Sequence, residues 1–401
     1  MPTLSRRQTL ALPLAAALAR PAIAQTKQSP GVTDTEILIG QTMPYSGPAS
    51  SYGTIGKSEA AYIQMINDQG GVNGRKIKFL SLDDGYVPPK TVEQTRRLVE
   101  QDEVAALFSS LGTPTNNATR KYLNEHKVPT LFVATGATQF GDHEKYPWTM
   151  GWQPSYQIEG RAYGKYILAT KPDAKVAVLY QNDDSGKDYL KGIKDGLGAA
   201  VGKMLVGTAS YEVTDPTVDS QVGSLQGSGA DTLFMTGIPK FNAMGMRRVY
   251  DIGWHPTFFI SSTGSSVATA MIPAGPEKCV GVMTVAYLKD PTDKQWATDE
   301  GFKGWLDFMQ KYYPDGDKAD INNAYGYSIT QTLVQVLKQA GNDLSRPNLM
   351  KQATNLDLAQ PLLQPGIRIT TSPTDYYPIK QVRLVRFDGK AWVPFGDVIS
   401  G

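Results

Sequence analysis

Two short loops carry the residue types best suited to holding a ligand. The loop "SSLGTPTN" (109–116) follows the apolar run VAALF, and "ATGATQF" (134–140) follows PTLFV. Both loops are uncharged and rich in Gly, Ser, Thr and Ala. Their hydroxyls and backbone N–H groups, at the start of the following helices, can bind an anion such as a carboxylate. Thr113 and Thr115 could also cap the helix that follows, and the two roles are compatible.

Side chains that could perform catalysis do not form a recognisable set. Gly56-Lys57-Ser58 resembles the end of a phosphate-binding loop, but Ser51 stands where that motif requires glycine. The three histidines (His126, His143 and His255) are scattered along the chain, whereas a zinc site needs three or four converging ligands. We therefore expect neither a nucleotide site nor a metal site from these residues.

Two acidic pairs and one cysteine could also take part in chemistry. Asp83-Asp84 and Asp183-Asp184 each follow an apolar strand, where they could serve acid–base chemistry, bind a cation or simply cap a loop. Cys279 cannot form an internal disulfide and is expected to be a small buried residue. The chain has no G-x-G-x-x-G after a strand and no G-x-S-x-G. The sequence thus predicts no catalytic residues, no cofactor and no metal.

The elements that position the loops alternate between short apolar strands and amphipathic helices. One such series runs from residue 36 to 134, and a second with the same rhythm runs from 156 to 261. This alternation predicts an α/β fold with two doubly wound parallel sheets, each presenting the carboxyl ends of its strands to a ligand. The tail ends in two alternating strands joined by Asp388-Gly389, a hairpin signal.

The first 24 residues have the layout of an export signal. Arg6 and Arg7 precede an apolar Leu/Ala run, and Ala22-Ile23-Ala24 forms a small-residue cleavage site, so we predict a signal peptide over 1–24 of the twin-arginine type. Its removal takes away three arginines and no acid, which lowers the formal net charge from +2 to −1. A near-neutral exported chain is unsuited to binding nucleic acid. We expect a periplasmic protein with no stable membrane insertion.

The order of several motifs resembles one family. "PYSGPASSYG", "INDQGGVNGRKIKFLSLDD", "SSLGTPTN", "ATGAT" and "VLYQNDDSGKDYLKG" follow one another as in the periplasmic leucine/isoleucine/valine-binding proteins of branched-chain-amino-acid-type ABC importers. The resemblance implies a type I periplasmic binding protein, with two Rossmann-like lobes joined by a three-strand hinge. It places lobe 1 at 34–152 plus 287–365, and lobe 2 at 153–286 plus 366–401.

The resemblance also implies ligand-binding residues in the first lobe. Tyr52 matches the aromatic residue that covers the ligand, and Thr113 matches the hydroxyl residue that holds its carboxylate. The stretch Gly136, Ala137 and Thr138 matches the second loop around the same carboxylate. Tyr287 falls near an aromatic residue at the hinge side of the cleft.

The second lobe departs from the amino-acid binders. Ser185 replaces an aromatic residue after "NDD", Ile238-Pro239 followed by Lys240 replaces a tyrosine, and "FFISSTGSS" offers Thr263 and no acid for an ammonium group. A buried ammonium without a countercharge is costly. We therefore expect a small carboxylate that lacks the α-amino group, such as an aromatic or branched acid, with Ser185 providing room and Lys240 meeting a second polar group.

Three functions remain open at this stage. A binding protein that delivers a small carboxylate to an ABC permease explains the export signal, the two series and the uncharged loops. A ligand-sensing periplasmic receptor uses the same fold. A secreted hydrolase would need a catalytic set that the sequence does not show.

Overall fold

A computed structural model describes residues 29–400 and contains two α/β units, each built on one main sheet. This confirms the predicted fold class. The predicted signal peptide lies outside the described residues. Within 29–400, no helix has the length and apolarity needed to cross a membrane.

The described strands are β1 (Glu36–Met43), β2 (Lys76–Asp83), β3 (Ala106–Phe108), β4 (Thr130–Val133), β5 (Thr149–Gly151), β6 (Val176–Gln181), β7 (Leu205–Tyr211), β8 (Thr232–Thr236), β9 (Thr257–Ile260), β10 (Met283–Ala286), β11 (Asp357–Leu358), β12 (Ile369–Thr370), β13 (Gln381–Phe387) and β14 (Trp392–Ser400). The helices are α1 (Gly53–Asp68), α2 (Pro88–Arg96), α3 (Thr113–Glu125), α4 (Tyr156–Thr170), α5 (Asp184–Leu197), α6 (Val201–Met204), α7 (Asp219–Gly227), α8 (Pro239–Asp251), α9 (Ile272–Ala274), α10 (Glu300–Tyr312), α11 (Ile321–Ala340) and α12 (Arg346–Ala353).

The first sheet has the order β2-β1-β3-β4-β5, with every pair parallel. The second has the order β14-β13-β10-β9-β8-β6-β7 and is parallel except at β13, which runs antiparallel to both neighbours. The predicted tail hairpin is therefore present, and it extends the second sheet. Parallel strands that are buried on both faces appear in the sequence as continuous apolar runs. The two strand–helix series could therefore be predicted from the sequence.

The chain crosses three times between the two units. We call the unit around the first sheet lobe 1, and the unit around the second sheet lobe 2. After β10 the chain returns to lobe 1, where α11 packs against α1, and the tail strands β13 and β14 then complete lobe 2. We retain the boundaries 34–152 plus 287–365 and 153–286 plus 366–401 as a proposal.

Three of the helices that begin earlier than their apolar periodicity predicts have a proline in the first turn. The apolar pattern predicts helices over 90–102, 115–127 and 240–252, whereas these helices begin at Pro88, Thr113 and Pro239. Proline lacks an N–H, but the first helical turn has no intrahelical acceptor for that group, so proline is tolerated there. The predicted helix 90–102 also ends its α-helical part at Arg96 and continues as a π turn.

The core of lobe 1 contains a carboxyl group with no cationic partner among residues 29–400. Glu59 on α1 is fully buried, and its Oε2 accepts a hydrogen bond from Gln41 Nε2, whereas Oε1 has no partner in the same part of the chain. Burial raises the pKa of Glu59 to about 8. The folded protein therefore keeps a proton on Glu59 that the unfolded chain releases above a pH of about 4.3.

Glu59→Gln is expected to remove a pH dependence of stability. Because the native state binds one more proton between pH 5 and 8, the free energy of unfolding of the parent protein falls by about 1.4 kcal/mol per pH unit from this group. Denaturant unfolding should be measured for both proteins at pH 5, 6, 7 and 8. The free energy of unfolding of E59Q, relative to that of the parent, should rise by about 1.4 kcal/mol with each pH unit. The exposed Glu125→Gln serves as control, and a constant difference between E59Q and the parent would contradict the assignment.

Candidate functional site

A cavity of ≈ 110 Å³ lies between the two lobes, at the carboxyl ends of the parallel strands. Its walls come from segments after β3 and β4 in lobe 1, from segments after β6, β8 and β9 in lobe 2, and from the crossing segment after β10. Ligands of open α/β sheets bind at this edge, near the point where strand order reverses. A cavity on the scale that holds one benzene ring accommodates a single small organic molecule.

The lobe 1 wall offers two potential hydrogen-bond donors at Thr113, a backbone N–H and a hydroxyl. Thr113 is the first residue of α3 and lines the cavity, and its backbone N–H has no acceptor among the described residues. Its hydroxyl lies 2.6 Å from that of Thr135. Either hydroxyl can be the donor in this pair. When Thr135 donates to Thr113 rather than to Tyr156 Oη, which lies 3.4 Å away, the Thr113 hydroxyl hydrogen can point into the cavity. The helix dipole and both donors favour a negative group here.

Gly112 allows an aromatic ring to approach this donor pair. It has φ +101°, and a Cβ on this residue would lie 2.5 Å from Cε2 of Tyr86. Tyr86 lines the cavity and itself has φ +63°, a conformation that non-glycine residues rarely adopt. Such backbone strain is typical of ligand-binding sites held by their surroundings. Gly112 is therefore needed both for its backbone angle and for space.

Seven aromatic side chains line the cavity. They come from both lobes and from the tail: Tyr52, Tyr86, Tyr156, Tyr189, Tyr287, Tyr325 and Trp392. Tyr156 and Tyr189 stack with ring centroids 4.3 Å apart. Burial raises the pKa of Tyr156 to about 12, so its phenol is a neutral donor at physiological pH. Walls of this kind bind apolar or aromatic groups and supply hydroxyls for orientation.

A buried carboxylate behind lobe 2 holds part of the cavity wall in place. Glu159 on α4 is 2% exposed, and its Oε1 accepts hydrogen bonds from Tyr163 Oη (2.6 Å) and Ser262 N (2.7 Å). Its Oε2 accepts from Ser262 Oγ (2.7 Å) and Tyr189 Oη (3.1 Å). Burial raises the pKa of Glu159 despite these donors. The residue thus fixes Ser262 and Tyr189, which both line the cavity.

The described part of the cavity wall contains no basic side chain, which is unusual for a site that binds an anion. Among the lining residues, all within 29–400, there is no lysine, arginine or histidine, and the acidic side chain is Asp290. A carboxylate bound here would rest on neutral donors, chiefly at Thr113.

Comparison with known proteins identifies the family. The model of the family described as periplasmic binding protein matches residues 36–391. The chain belongs to the periplasmic binding protein family. The resemblance found in the sequence is thereby confirmed, and the relatives in this family are substrate-binding proteins rather than enzymes.

Individual relatives agree with this assignment. A protein named "Leu/Ile/Val-binding protein homolog 1" from Brucella abortus (strain 2308) is 24% identical over 313 residues, which cover 77% of this chain and 80% of that protein. A branched-chain amino acid ABC transporter protein from Thermus thermophilus with bound valine has a TM-score of 0.82 at 15% identity, covering 92% of this chain and 98% of that one. A solute-binding protein from Rhodopseudomonas palustris BisB5 in complex with 3,4-dihydroxybenzoic acid has a TM-score of 0.76 at 18% identity, covering 91% and 97%.

In this periplasmic binding protein, half of the site residues inferred from the sequence line the cavity. These are Tyr52, Thr113, Ser185, Thr263 and Tyr287. The remaining five do not line it, for reasons that differ between the two lobes.

In lobe 1, the second loop turns away from the cavity. The backbone N–H and hydroxyl of Thr138 both donate to Asp188 Oδ2 at 2.7 Å, so Thr138 contacts lobe 2 rather than a ligand. Gly136 and Ala137 line a small recess beside Tyr377 instead. The expectation that both loops hold one carboxylate therefore needs correction, since from the second loop only Ala134 reaches the cavity.

In lobe 2, two predicted residues lie outside the cavity. Pro239 is buried in the first turn of α8, where it shapes the helix start. Lys240 is exposed and lines a recess at the outer edge between the lobes, with its Nζ 5.1 Å from the centroid of the Phe241 ring. Ile238, directly before them, supplies the lining from this loop.

The periplasmic binding protein is in a closed conformation. Tyr52 Oη of lobe 1 donates to the carbonyl of Thr263 in lobe 2 at 3.0 Å. A second cross-lobe bond joins Asn117 Nδ2 to Asp184 Oδ2 at 2.7 Å, beside the Thr138–Asp188 contact. Asp184 thus serves lobe contact rather than cation binding.

Proposed function

We propose that this protein is the extracytoplasmic binding component of an ABC importer, which captures a small carboxylate between its lobes and delivers it to the permease. The observation that carries the proposal is the backbone N–H of Thr113, which has no acceptor among residues 29–400 and lies beside the Thr113 hydroxyl at the start of α3, in a cavity between two lobes. Twin-arginine export, proposed from Arg6 and Arg7, would place the protein in the periplasm.

The size and walls of the cavity narrow the ligand class. A volume of ≈ 110 Å³ suits an amino acid or an acid with a single ring or short branched chain. The tyrosine-rich lining supports an aromatic or branched group next to the carboxylate. Relatives with bound valine and with bound 3,4-dihydroxybenzoic acid have the same fold, which supports both options.

Ligand binding would drive closure by a shift in population. A ligand touches Thr113 of lobe 1 and Ser185 or Thr263 of lobe 2 at once only when the lobes are together. These differential contacts favour the closed state over the open one. The closed surface is then the form that a permease would recognise.

Identification of the ligand that the purified protein retains tests this function. Native mass spectrometry of protein secreted by its own host should show a small carboxylate released on unfolding. Calorimetry should then show that compound binding with one-to-one stoichiometry. Recovery of a ligand without a carboxylate, or turnover of the bound compound, would contradict the proposal.

A further inference from the structure

Asp290 is a buried acid that lines the cavity and has no cationic partner within the described residues. It follows β10 by four residues, is 6% exposed and lines the cavity. Its Oδ1 accepts hydrogen bonds from the backbone N–H (2.9 Å) and the hydroxyl (2.5 Å) of Thr292. Its Oδ2 accepts no hydrogen bond from residues 29–400. One carboxylate oxygen is therefore anchored and the other is available.

The nearest lysine in the chain does not neutralise this carboxylate. Lys289 pairs with Asp299 at 2.8 Å and lies 5.3 Å from the centroid of the Trp296 ring. The other charges that act on Asp290 are the carboxylates Asp293 and Asp320, and burial with these acids raises the pKa of Asp290 to about 6. A carboxylate without a partner in a cavity wall is destabilising. A ligand that donates a hydrogen bond to it offsets that cost.

We propose that Asp290 Oδ2 accepts a hydrogen bond from a donor group of the ligand, a hydroxyl or an ammonium, so that the site selects carboxylates bearing such a donor over plain acids. This inference rests on the proposed function, because it assumes that the carboxylate end lies at Thr113. Thr113 and Asp290 come from different segments of the cavity wall, the start of α3 and the crossing after β10. A ligand held at both is anchored at two polar points with its apolar part against the tyrosines.

This inference revises the expectation that the ligand lacks an amino group. That expectation rested on the absence of an acid in the "FFISSTGSS" stretch, and Ser262, Thr263 and Ser265 of that stretch indeed present neutral groups to the cavity. The acid comes instead from the crossing segment. A carboxylate ligand without a donor group would bury a second negative charge near ionised Asp290. An ammonium group on the ligand would instead place a positive charge beside Asp290, and a hydroxyl group would donate a hydrogen bond to it.

Calorimetry with matched ligand pairs tests the inference. The probes are valine with isovalerate, which differ by the ammonium, and 4-hydroxybenzoate with benzoate, which differ by the hydroxyl. The donor-bearing member of at least one pair should bind the parent protein at least tenfold more tightly than its partner. Asp290→Asn should lower the affinity for the donor-bearing member at least tenfold. The affinity for the plain acid should stay the same or increase, because the substitution removes a like charge.

The opposite effects on the two members separate recognition from damage to the fold. A purely structural role for Asp290 would weaken both members equally, and that result would overturn the inference. Equal binding of both members by the parent would overturn it as well, while leaving the proposed function intact. No binding of any of the four carboxylates would count against the proposed function itself, and the inference would fall with it. Asp293→Asn is the matched control, since it removes the same charge three residues on, outside the cavity lining, and should change neither affinity by more than threefold.

Discussion

Replacement of Thr113 by valine is expected to weaken ligand binding by about 1.5–3 kcal/mol, the range for a hydrogen bond to a charged group. Valine keeps the volume and β-branching of threonine but removes the hydroxyl that faces the cavity. The dissociation constant of the retained carboxylate, measured by calorimetry, should rise about 10- to 150-fold.

Thr113→Ser provides the control for this experiment, since serine keeps the hydroxyl and the helix start. Its affinity should lie within about threefold of the parent. Thermal unfolding of both variants should remain close to that of the parent, because Thr135 keeps its bond from Ala137 N and can donate to Tyr156 Oη, 3.4 Å away. A T113V protein that binds as tightly as T113S would show that the hydroxyl does not hold the ligand.

Glu159→Ala is expected to lower the free energy of unfolding by about 3 kcal/mol or more. The substitution removes the acceptor for Ser262 N, Ser262 Oγ and Tyr189 Oη, and each buried donor left unsatisfied costs about 1–3 kcal/mol. Tyr163 loses less, because its hydroxyl also lies 3.0 Å from the carbonyl of Ile260. Denaturant unfolding would measure the loss, and ligand affinity should fall as well, since Ser262 lines the cavity.

Glu159→Gln distinguishes the contribution of side-chain volume from that of the hydrogen bonds to the carboxylate. Glutamine fills the same space and retains one acceptor oxygen, so it should lose less stability than alanine. A Glu159→Ala protein within 1 kcal/mol of the parent would mean that the four bonds contribute little and that lobe 2 does not depend on this carboxylate.

Much of the fold could be predicted because it follows from local patterns. The apolar runs VAALF and PTLFV became β3, the central strand of a parallel sheet, and β4 beside it. The uncharged loop after VAALF placed Thr113 in the cavity. Helix starts were less accurate, since a proline such as Pro239 interrupts the apolar pattern yet fits the first turn of a helix.

The parts of the site that could not be predicted depend on contacts distant in sequence. Trp392 reaches the cavity from the tail strand β14, and Asp290 from the crossing segment, and neither lies in a motif. Thr138 has the residue type and position expected of a ligand residue, but its donors are taken by Asp188, 50 residues further on. Glu159 gives no signal in the sequence, because its role arises only when α4 packs beneath Ser262.

A crystal structure of the protein with the carboxylate identified by mass spectrometry tests the central claim most directly. The account predicts that the bound carboxylate lies within hydrogen-bonding distance of the backbone N–H and Oγ1 of Thr113, enclosed by both lobes. A ligand bound outside this cavity, or one whose carboxylate points away from α3, would contradict it.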